Sequence, residues 1–155
     1  MDRLRRSYLK LAGSAVVLAG AGAAGFLRTA SARAADWNKT GFESKAVSDV
    51  LKALGAAGAV ESKDIVITAP DIAENGAVVP VEVTSRIPGT QSISIIADKN
   101  PFPLAASVDL ANGSEPYTYV RIKMGDTSNV RAIVKAGGKF YTAAKEIKVT
   151  IGGCG

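Results

Sequence analysis

The sequence predicts an all-β domain, an immunoglobulin-like antiparallel β-sandwich with one N-terminal helix. Two observations lead to this prediction. Seven or eight short segments rich in β-branched residues follow one another between residues 64 and 151, separated by turn residues. Upstream of them, apolar residues recur at helical spacing in one segment only, residues 41–54. The chain ends in a glycine-rich tail, residues 152–155, which we expect to form a flexible arm.

Residues 1–34 have the pattern of an export signal. Arg5 and Arg6 form a twin-arginine pair, followed by a mild apolar stretch from residue 11 to 27 and an Ala-x-Ala site at residues 32–34. The apolar stretch has 17 residues and is diluted by glycine, so an uncleaved membrane anchor is the less favoured alternative. We therefore expect cleavage before Ala35, export by the twin-arginine route and a periplasmic domain of residues 35–155.

The formal net charge of +5 belongs to this signal. Residues 1–34 contain six of the 19 basic and one of the 14 acidic residues, which leaves 13 of each in residues 35–155. A nucleic-acid-binding domain is expected to carry a clustered basic surface. The neutral balance of the predicted domain excludes that class.

The predicted helix has one apolar face. Phe42, Ala46, Val47, Val50, Leu51 and Leu54 fall on it. Gly55 and Gly58 then provide the stop signal. One helix of this kind normally covers a core, and nothing in it indicates a membrane helix.

The strands are predicted in order from β-branched runs and the turns that precede them. Turns at residues 74–76, 88–89, 100–103 and 137–138 each open the way to a new strand. The predicted strands are residues 64–70, 78–85, 91–97, 104–110, 117–124, 129–135, 139–141 and 145–151. Pro80 inside the second of these predicts an edge or a bulge there.

Cys154 is the only cysteine, and the chain contains no histidine. Gly152 and Gly153 precede it and Gly155 follows it, so the thiol has no neighbouring side chain to pack against. A lone cysteine is often a small buried hydrophobe, but a penultimate residue between glycines is hard to keep in a core. An unpaired cysteine in an exported protein favours intermolecular pairing or a reactive thiol. From Ile151 to Cys154 an extended chain reaches roughly 10 Å.

No other residues form a pattern typical of catalysis. Without histidine the chain has no nucleophile–base pair at the thiol, and we expect no metal site and no cofactor. The acidic residues are scattered singly. Arg121, Lys123, Arg131 and Lys135 are cations that would suit an anionic substrate, but a solvated strand face is the more common explanation. We therefore expect a protein that is not an enzyme.

Three segments give the chain a resemblance to the SoxY family of sulfur-oxidation carriers, whose hallmark is a C-terminal Gly-Gly-Cys-Gly-Gly. They are residues 100–105, residues 121–132 and residues 148–155. The export signal and the order of helix and strands agree with the family too. The present sequence has one glycine after Cys154, where the family usually has two.

This resemblance implies a covalent carrier whose chemistry is done by other proteins. In the family, a haem enzyme joins thiosulfate oxidatively to the terminal cysteine, here Cys154. A hydrolase then releases sulfate, a sulfane dehydrogenase oxidises the remaining sulfur, and the hydrolase frees the thiol. The resemblance also implies a heterodimer with a small β protein, SoxZ.

Two other interpretations stay open on the residues alone. A thiol sulfurtransferase needs a preformed cationic pocket around its sulfur, which a mobile tail does not offer. An immunoglobulin-like structural or interaction module would make the tail incidental. Fold alone does not separate these alternatives from a carrier.

Overall fold

A computed structural model describes residues 37–111 and 113–151, which form two short helices and nine strands. The helices are α1 (Lys39–Glu43) and α2 (Val47–Ala53). The strands are β1 (Val60–Glu61), β2 (Ile65–Thr68), β3 (Ile72–Ala73), β4 (Val79–Ser85), β5 (Thr90–Ala97), β6 (Leu104–Asp109), β7 (Tyr117–Ile122), β8 (Ser128–Ala136) and β9 (Lys139–Val149). The predicted signal, residues 35–36 and the arm at 152–155 lie outside the described residues.

The strands form two sheets. The larger one has the order β1-β9-β8-β5-β6, with β3 also paired to β9, and the smaller one has the order β2-β4-β7. One buried cluster contains Val81 and Val83 of the smaller sheet together with Ile95, Val134 and Ile147 of the larger one. The predicted mostly-β fold with two sheets around a common core is thus confirmed, and its immunoglobulin-like topology stays a prediction.

Strand β5 is buried on both faces. Ile93 and Ile95 belong to the core between the sheets, whereas Ile96 belongs to a second cluster on the other face of the larger sheet. Because side chains alternate along a strand, a run of five buried residues, 93–97, requires cover on both sides. The helices supply the second cover, through Val50 and partly buried Phe42 and Leu54.

The prediction of one helix over residues 41–54 is wrong. The chain breaks between α1 and α2, because Ser44 and Ala46 both have extended backbone conformations. Asn38 starts α1 by accepting a hydrogen bond from the Gly41 amide at 3.0 Å, and Ser44 Oγ donates back to the Thr40 carbonyl at 2.7 Å. Such local side-chain bonds compete with helix continuation. The break lets the apolar residues of both helices reach the same cluster.

The predicted strand pattern is correct for residues 64–136 and wrong in three places. Residues 139–141 and 145–151 form one continuous strand, β9, which ends at Val149. Gly137 and Gly138 both have positive φ values, as a tight hairpin between β8 and β9 requires. The sheet is also not purely antiparallel, because the short strands β1 and β3 pair with β9 in parallel. Neither short strand was predicted, since two residues carry no periodicity.

Pro80 lies where the prediction allows a proline. Strand β2 pairs with β4 only from Glu82 to Ser85, so at Pro80 the strand β4 has β7 alone as its neighbour. The strand is therefore locally an edge, and a missing amide donor is tolerated there. None of the helices in residues 37–111 and 113–151 is long and apolar enough to span a membrane.

The break between the helices provides the first testable prediction. Asn38 caps α1 and also donates from Nδ2 to the Ala53 carbonyl at 3.0 Å, at the end of α2. We expect Asn38→Ala to lower the free energy of unfolding by about 1–2 kcal/mol, because it removes a cap and a tie between the helices. Urea unfolding followed by circular dichroism measures this. Ser48→Ala, at an exposed position of α2, is the control and should change stability little. An Asn38→Ala protein as stable as the wild type would contradict this account.

Candidate functional site

The candidate site is the C-terminal arm with Cys154. The arm itself lies outside the described residues, and so do Gly152, Gly153 and Gly155. The structure does describe the segment from which the arm departs, residues 148–151, which we call the arm root. The geometry of the arm root determines where the thiol starts its reach.

A loop at residues 71–76 holds the arm root through backbone hydrogen bonds. The Lys148 amide donates to the Asp71 carbonyl at 3.0 Å, and the Thr150 amide donates to the Ala73 carbonyl at 3.1 Å. The Gly76 amide then donates to the Ile151 carbonyl at 2.8 Å. Strand β9 ends at Val149, but hydrogen bonds fix the chain as far as Ile151. The predicted end of the last ordered segment is thus correct, although residues 150 and 151 are not in the strand.

Two threonine side chains reinforce the arm root. Thr127 Oγ1 accepts a hydrogen bond from the Val149 amide at 2.9 Å. Thr150 Oγ1 donates to the Glu74 carbonyl at 2.9 Å. Thr127 lies just before β8, so the arm root is tied both to its neighbour strand and to the 71–76 loop. Both bonds involve the backbone of the segment that precedes the arm.

The 71–76 loop is itself anchored to the rest of the domain. The Met124 amide donates to the Gly76 carbonyl at 2.7 Å, and the Asn100 side chain donates to the Lys123 carbonyl at 2.7 Å. On the other side, Lys145 Nζ donates to the Ala69 carbonyl at 2.6 Å. The arm root therefore belongs to a connected hydrogen-bonded network that includes both sheets.

The four candidate cations do not form one site. Arg131 is held by Asp98 through two bonds of 2.8 and 2.9 Å, and these bonds raise the pKa of Arg131. Lys135 lies over the Phe140 ring at 5.9 Å, on the side of the larger sheet that the helices cover. Arg121 and Lys123 are exposed at and just beyond the end of β7, in the other sheet. The solvated-face interpretation therefore fits them better than a common anion site.

No described side chain is prepared for nucleophilic catalysis. Burial, followed by the charge of Glu82, raises the pKa of Tyr117, which keeps this phenol neutral. The hydrogen bond to Tyr119 raises the pKa of Arg121. Within residues 37–111 and 113–151, no group of three or more histidine, cysteine, aspartate and glutamate residues is placed to hold a metal ion. The described domain thus offers a scaffold around the arm root.

Two surface grooves accompany this scaffold. A groove of about 340 Å³ lies between β6 and β7, beside Ala106, Val120 and Lys123. Another of about 520 Å³ lies beside Arg86, Thr90 and Leu110, at the loop that precedes β5. Neither groove is lined by a nucleophile beside a base. Both are open surface features of the described residues.

Comparison with known proteins identifies the family. A protein-family model described as "Sulfur oxidation protein SoxY" matches residues 50–154, more than half of the chain, and its match ends at Cys154. The chain belongs to the SoxY family. Membership supports a carrier role in sulfur oxidation and agrees with a scaffold without its own catalytic groups. The family also implies partners from the sulfur-oxidation pathway in general.

A solved SoxY structure agrees with this assignment. The sulfur carrier protein SoxY from Chlorobium limicola f thiosulfatophilum is 40% identical to the chain, covers 73% of it and is itself covered to 99%, with a TM-score of 0.63. A superoxide reductase (neelaredoxin) from Ignicoccus hospitalis is 21% identical over 55% of the chain and 79% of its own length, with a TM-score of 0.48. That second likeness is too weak to support an inference. No curated protein matches the chain.

Sequence reasoning identified the cysteine and its glycines but missed the loop that holds the arm root. The turn at residues 74–76 was predicted only as a connection before β4. Its contacts with residues 150 and 151 are separated by about 75 positions along the chain. A single sequence contains no local signal for such a pairing. The one available hint was Asn75-Gly76, whose side chain and backbone favour a tight turn.

The network at the arm root predicts a local change in dynamics. In Thr127→Val the Val149 amide loses its acceptor, so we expect faster hydrogen exchange of residues 149–151 and a loss of about 1 kcal/mol in the free energy of unfolding. Hydrogen exchange followed by mass spectrometry measures both local and global protection. Thr68→Val, at an exposed position of β2, is the matched control. Unchanged exchange at the arm root would show that Thr127 does not hold it.

Proposed function

We propose that this chain is a periplasmic carrier that holds thiosulfate-derived sulfur covalently on Cys154 and presents it to partner enzymes. The observation that carries the proposal is a lone thiol between glycines, three residues beyond a hydrogen-bonded root, in a chain of the SoxY family. Export by the twin-arginine route, with cleavage before Ala35, belongs to the same proposal. The residues of the carrier arm are Gly152, Gly153, Cys154 and Gly155.

The proposed cycle begins with an oxidation at the sulfur of Cys154. The thiol and thiosulfate join into a Cys-S-S-SO₃⁻ adduct, with the release of one proton and two electrons to a haem enzyme. Water then attacks the terminal sulfonate sulfur, which leaves as sulfate, and a persulfide remains on Cys154. Both steps need groups that the described domain does not offer, namely an electron acceptor and an activated water. The carrier supplies only the attachment point.

The remaining sulfur leaves by the same kind of step. A sulfane dehydrogenase oxidises the persulfide, Cys-S-S⁻, to Cys-S-SO₃⁻, with three water molecules as oxygen source and the release of six protons and six electrons. The hydrolase then releases a second sulfate and restores the thiol. A thiol with an ordinary pKa of about 8.5 suits this cycle, because each partner enzyme activates the sulfur only in its own active site.

A narrow arm on a rigid domain fits this division of labour. Glycines at 152 and 153 have no side chain to obstruct a channel. The hydrogen bonds at residues 148–151 keep the domain from fraying toward the thiol. The reach beyond Ile151 is then set by three residues, roughly 10 Å. A carrier of this form delivers its sulfur into a partner while the sheets stay outside.

Cys154→Ser tests the proposal directly. We expect it to abolish thiosulfate-dependent oxidation in the reconstituted pathway while changing the free energy of unfolding by well under about 1 kcal/mol, because the residue lies outside the packed domain. Oxidation rates and urea unfolding measure the two effects. Full pathway activity of the variant would favour an interaction module with an incidental tail. Turnover of thiosulfate by the isolated wild-type chain would favour a sulfurtransferase instead.

The proposed partner is a second small β protein, SoxZ-like, in a heterodimer. Open strands invite pairing with another chain unless they are covered, and in the described sheets β6 and β7 each have a strand neighbour on one side only. We expect the chain purified from its native periplasm to run as a heterodimer in native mass spectrometry, with Cys154 accessible to a thiol reagent. A protein that runs only as a monomer would contradict this part of the proposal.

A further inference from the structure

The exposed apolar residues of the described domain are unevenly placed. Its large exposed apolar side chains are Trp37, Val60, Ile72, Val78, Phe102, Tyr117, Tyr119 and Ile151. Three of them belong to the arm root or to the loop that holds it. These are Ile72 at 57% exposure, Val78 at 55% and Ile151 at 69%. We call these three side chains the root collar.

Hydrogen bonds place all three members of the root collar at the start of the arm. Ile72 pairs with Lys148 in the parallel ladder of β3 and β9. Ile151 accepts the hydrogen bond from Gly76. Val78 follows Gly76 by two residues, across a turn that Asn75 Oδ1 fixes by accepting from the Ala77 amide at 2.8 Å. The root collar therefore belongs to the segment that a partner meets first when it receives the arm.

The length of the arm makes this meeting unavoidable. Three residues separate Ile151 from Cys154, so the sulfur-bearing residue lies at most roughly 10 Å beyond Ile151 whatever the conformation of the arm. The hydrogen bonds of Lys148, Thr150 and Ile151 prevent the strand from peeling away to lengthen the arm without loss of several bonds. A reactive centre inside a partner protein is therefore reached only when the partner surface lies against the arm root.

We propose that the root collar is the docking surface for the mouth of the partner enzymes' active-site channel, and that the rim of this mouth is apolar. This inference rests on the proposed carrier function and adds the surface by which that function is recognised. Ile72, Val78 and Ile151 bury their exposed area against the rim each time Cys154 enters. Apolar area removed from water stabilises such a complex in proportion to its size.

The domain contains a matched control position. Val60 is 63% exposed and lies in β1, which like β3 is a two-residue strand parallel to β9. It pairs with Tyr141, seven residues before the partner of Ile72 along β9, or roughly 23 Å at about 3.3 Å per residue. Val60→Thr therefore removes the same kind of apolar surface from the same kind of strand, away from the arm root.

The experiment compares transfer kinetics of loaded carriers. Tetrathionate loads Cys154, because the thiolate takes an S-SO₃⁻ group and releases thiosulfate. Sulfate release by the sulfate-releasing hydrolase is then followed against carrier concentration. For Ile72→Thr with Val78→Thr we expect KM to rise on the order of fivefold or more with kcat unchanged, whereas Val60→Thr leaves both constants as in the wild type. Threonine keeps the β-branched shape, and thermal unfolding verifies that each variant folds.

A lengthened arm adds a second, independent readout. Two glycines inserted after Gly152 add up to roughly 7 Å of reach, so the hydrolase no longer has to touch the root collar. The double threonine substitution should then raise KM much less than it does with the native arm. Equal KM values for the double variant and the wild type at native length would overturn the proposal, as would an equal rise at both arm lengths.

The outcomes separate this inference from the proposed function. Loss of oxidation in Cys154→Ser together with normal kinetics of the collar variant would retain the carrier and reject the docking surface. Oxidation that survives in Cys154→Ser would reject both. If the double variant unfolds, Val78→Thr alone replaces it, since valine and threonine have nearly the same shape and the position precedes β4.

Discussion

The carrier function depends on the hydrogen bonds that join the end of β9 to the loop at residues 71–76. They determine where the rigid domain stops and where the reach of the thiol begins. Without them, the last residues of β9 would fray, since chain termini are ordered only where they are tied down. A frayed root would lengthen the arm but leave the sulfur without a defined approach. Rigidity up to Ile151 and a narrow arm beyond it therefore act together.

Strand β9 is able to serve as this support because both of its edges are occupied. Strand β8 pairs along its whole length, and β1 and β3 pair near its two ends on the other side. Between β1 and β3 the chain crosses to the smaller sheet and forms β2. The loop that holds the arm root is thus the return of this crossover. The same topology that closes the core between the sheets also positions the 71–76 loop beside residues 148–151.

The sequence predicts those features that depend on neighbouring residues. Alternation and β-branching locate β2 and β4 to β8 within a few residues, and the lone cysteine between glycines identifies the arm. What it does not predict depends on distant contacts. Ile96 reveals nothing of the helices that cover it, and Ile72 forms a strand only because Lys148 lies beside it. The helix break is a local feature that apolar periodicity masks, because Asn38 and Ser44 act through side-chain bonds to the backbone.

The division between a stable domain and a reactive tail follows from the chemistry of the sulfur. An adduct such as a persulfide reacts with other thiols, and Cys154 is the only cysteine of the chain, so no second thiol within one molecule competes for it. The described domain adds neither a metal cluster nor an activated base that would hydrolyse the adduct prematurely. Selectivity then has to come from contact between surfaces, because the thiol is the same for every partner. For so short an arm, the only surface that always takes part in that contact is the arm root.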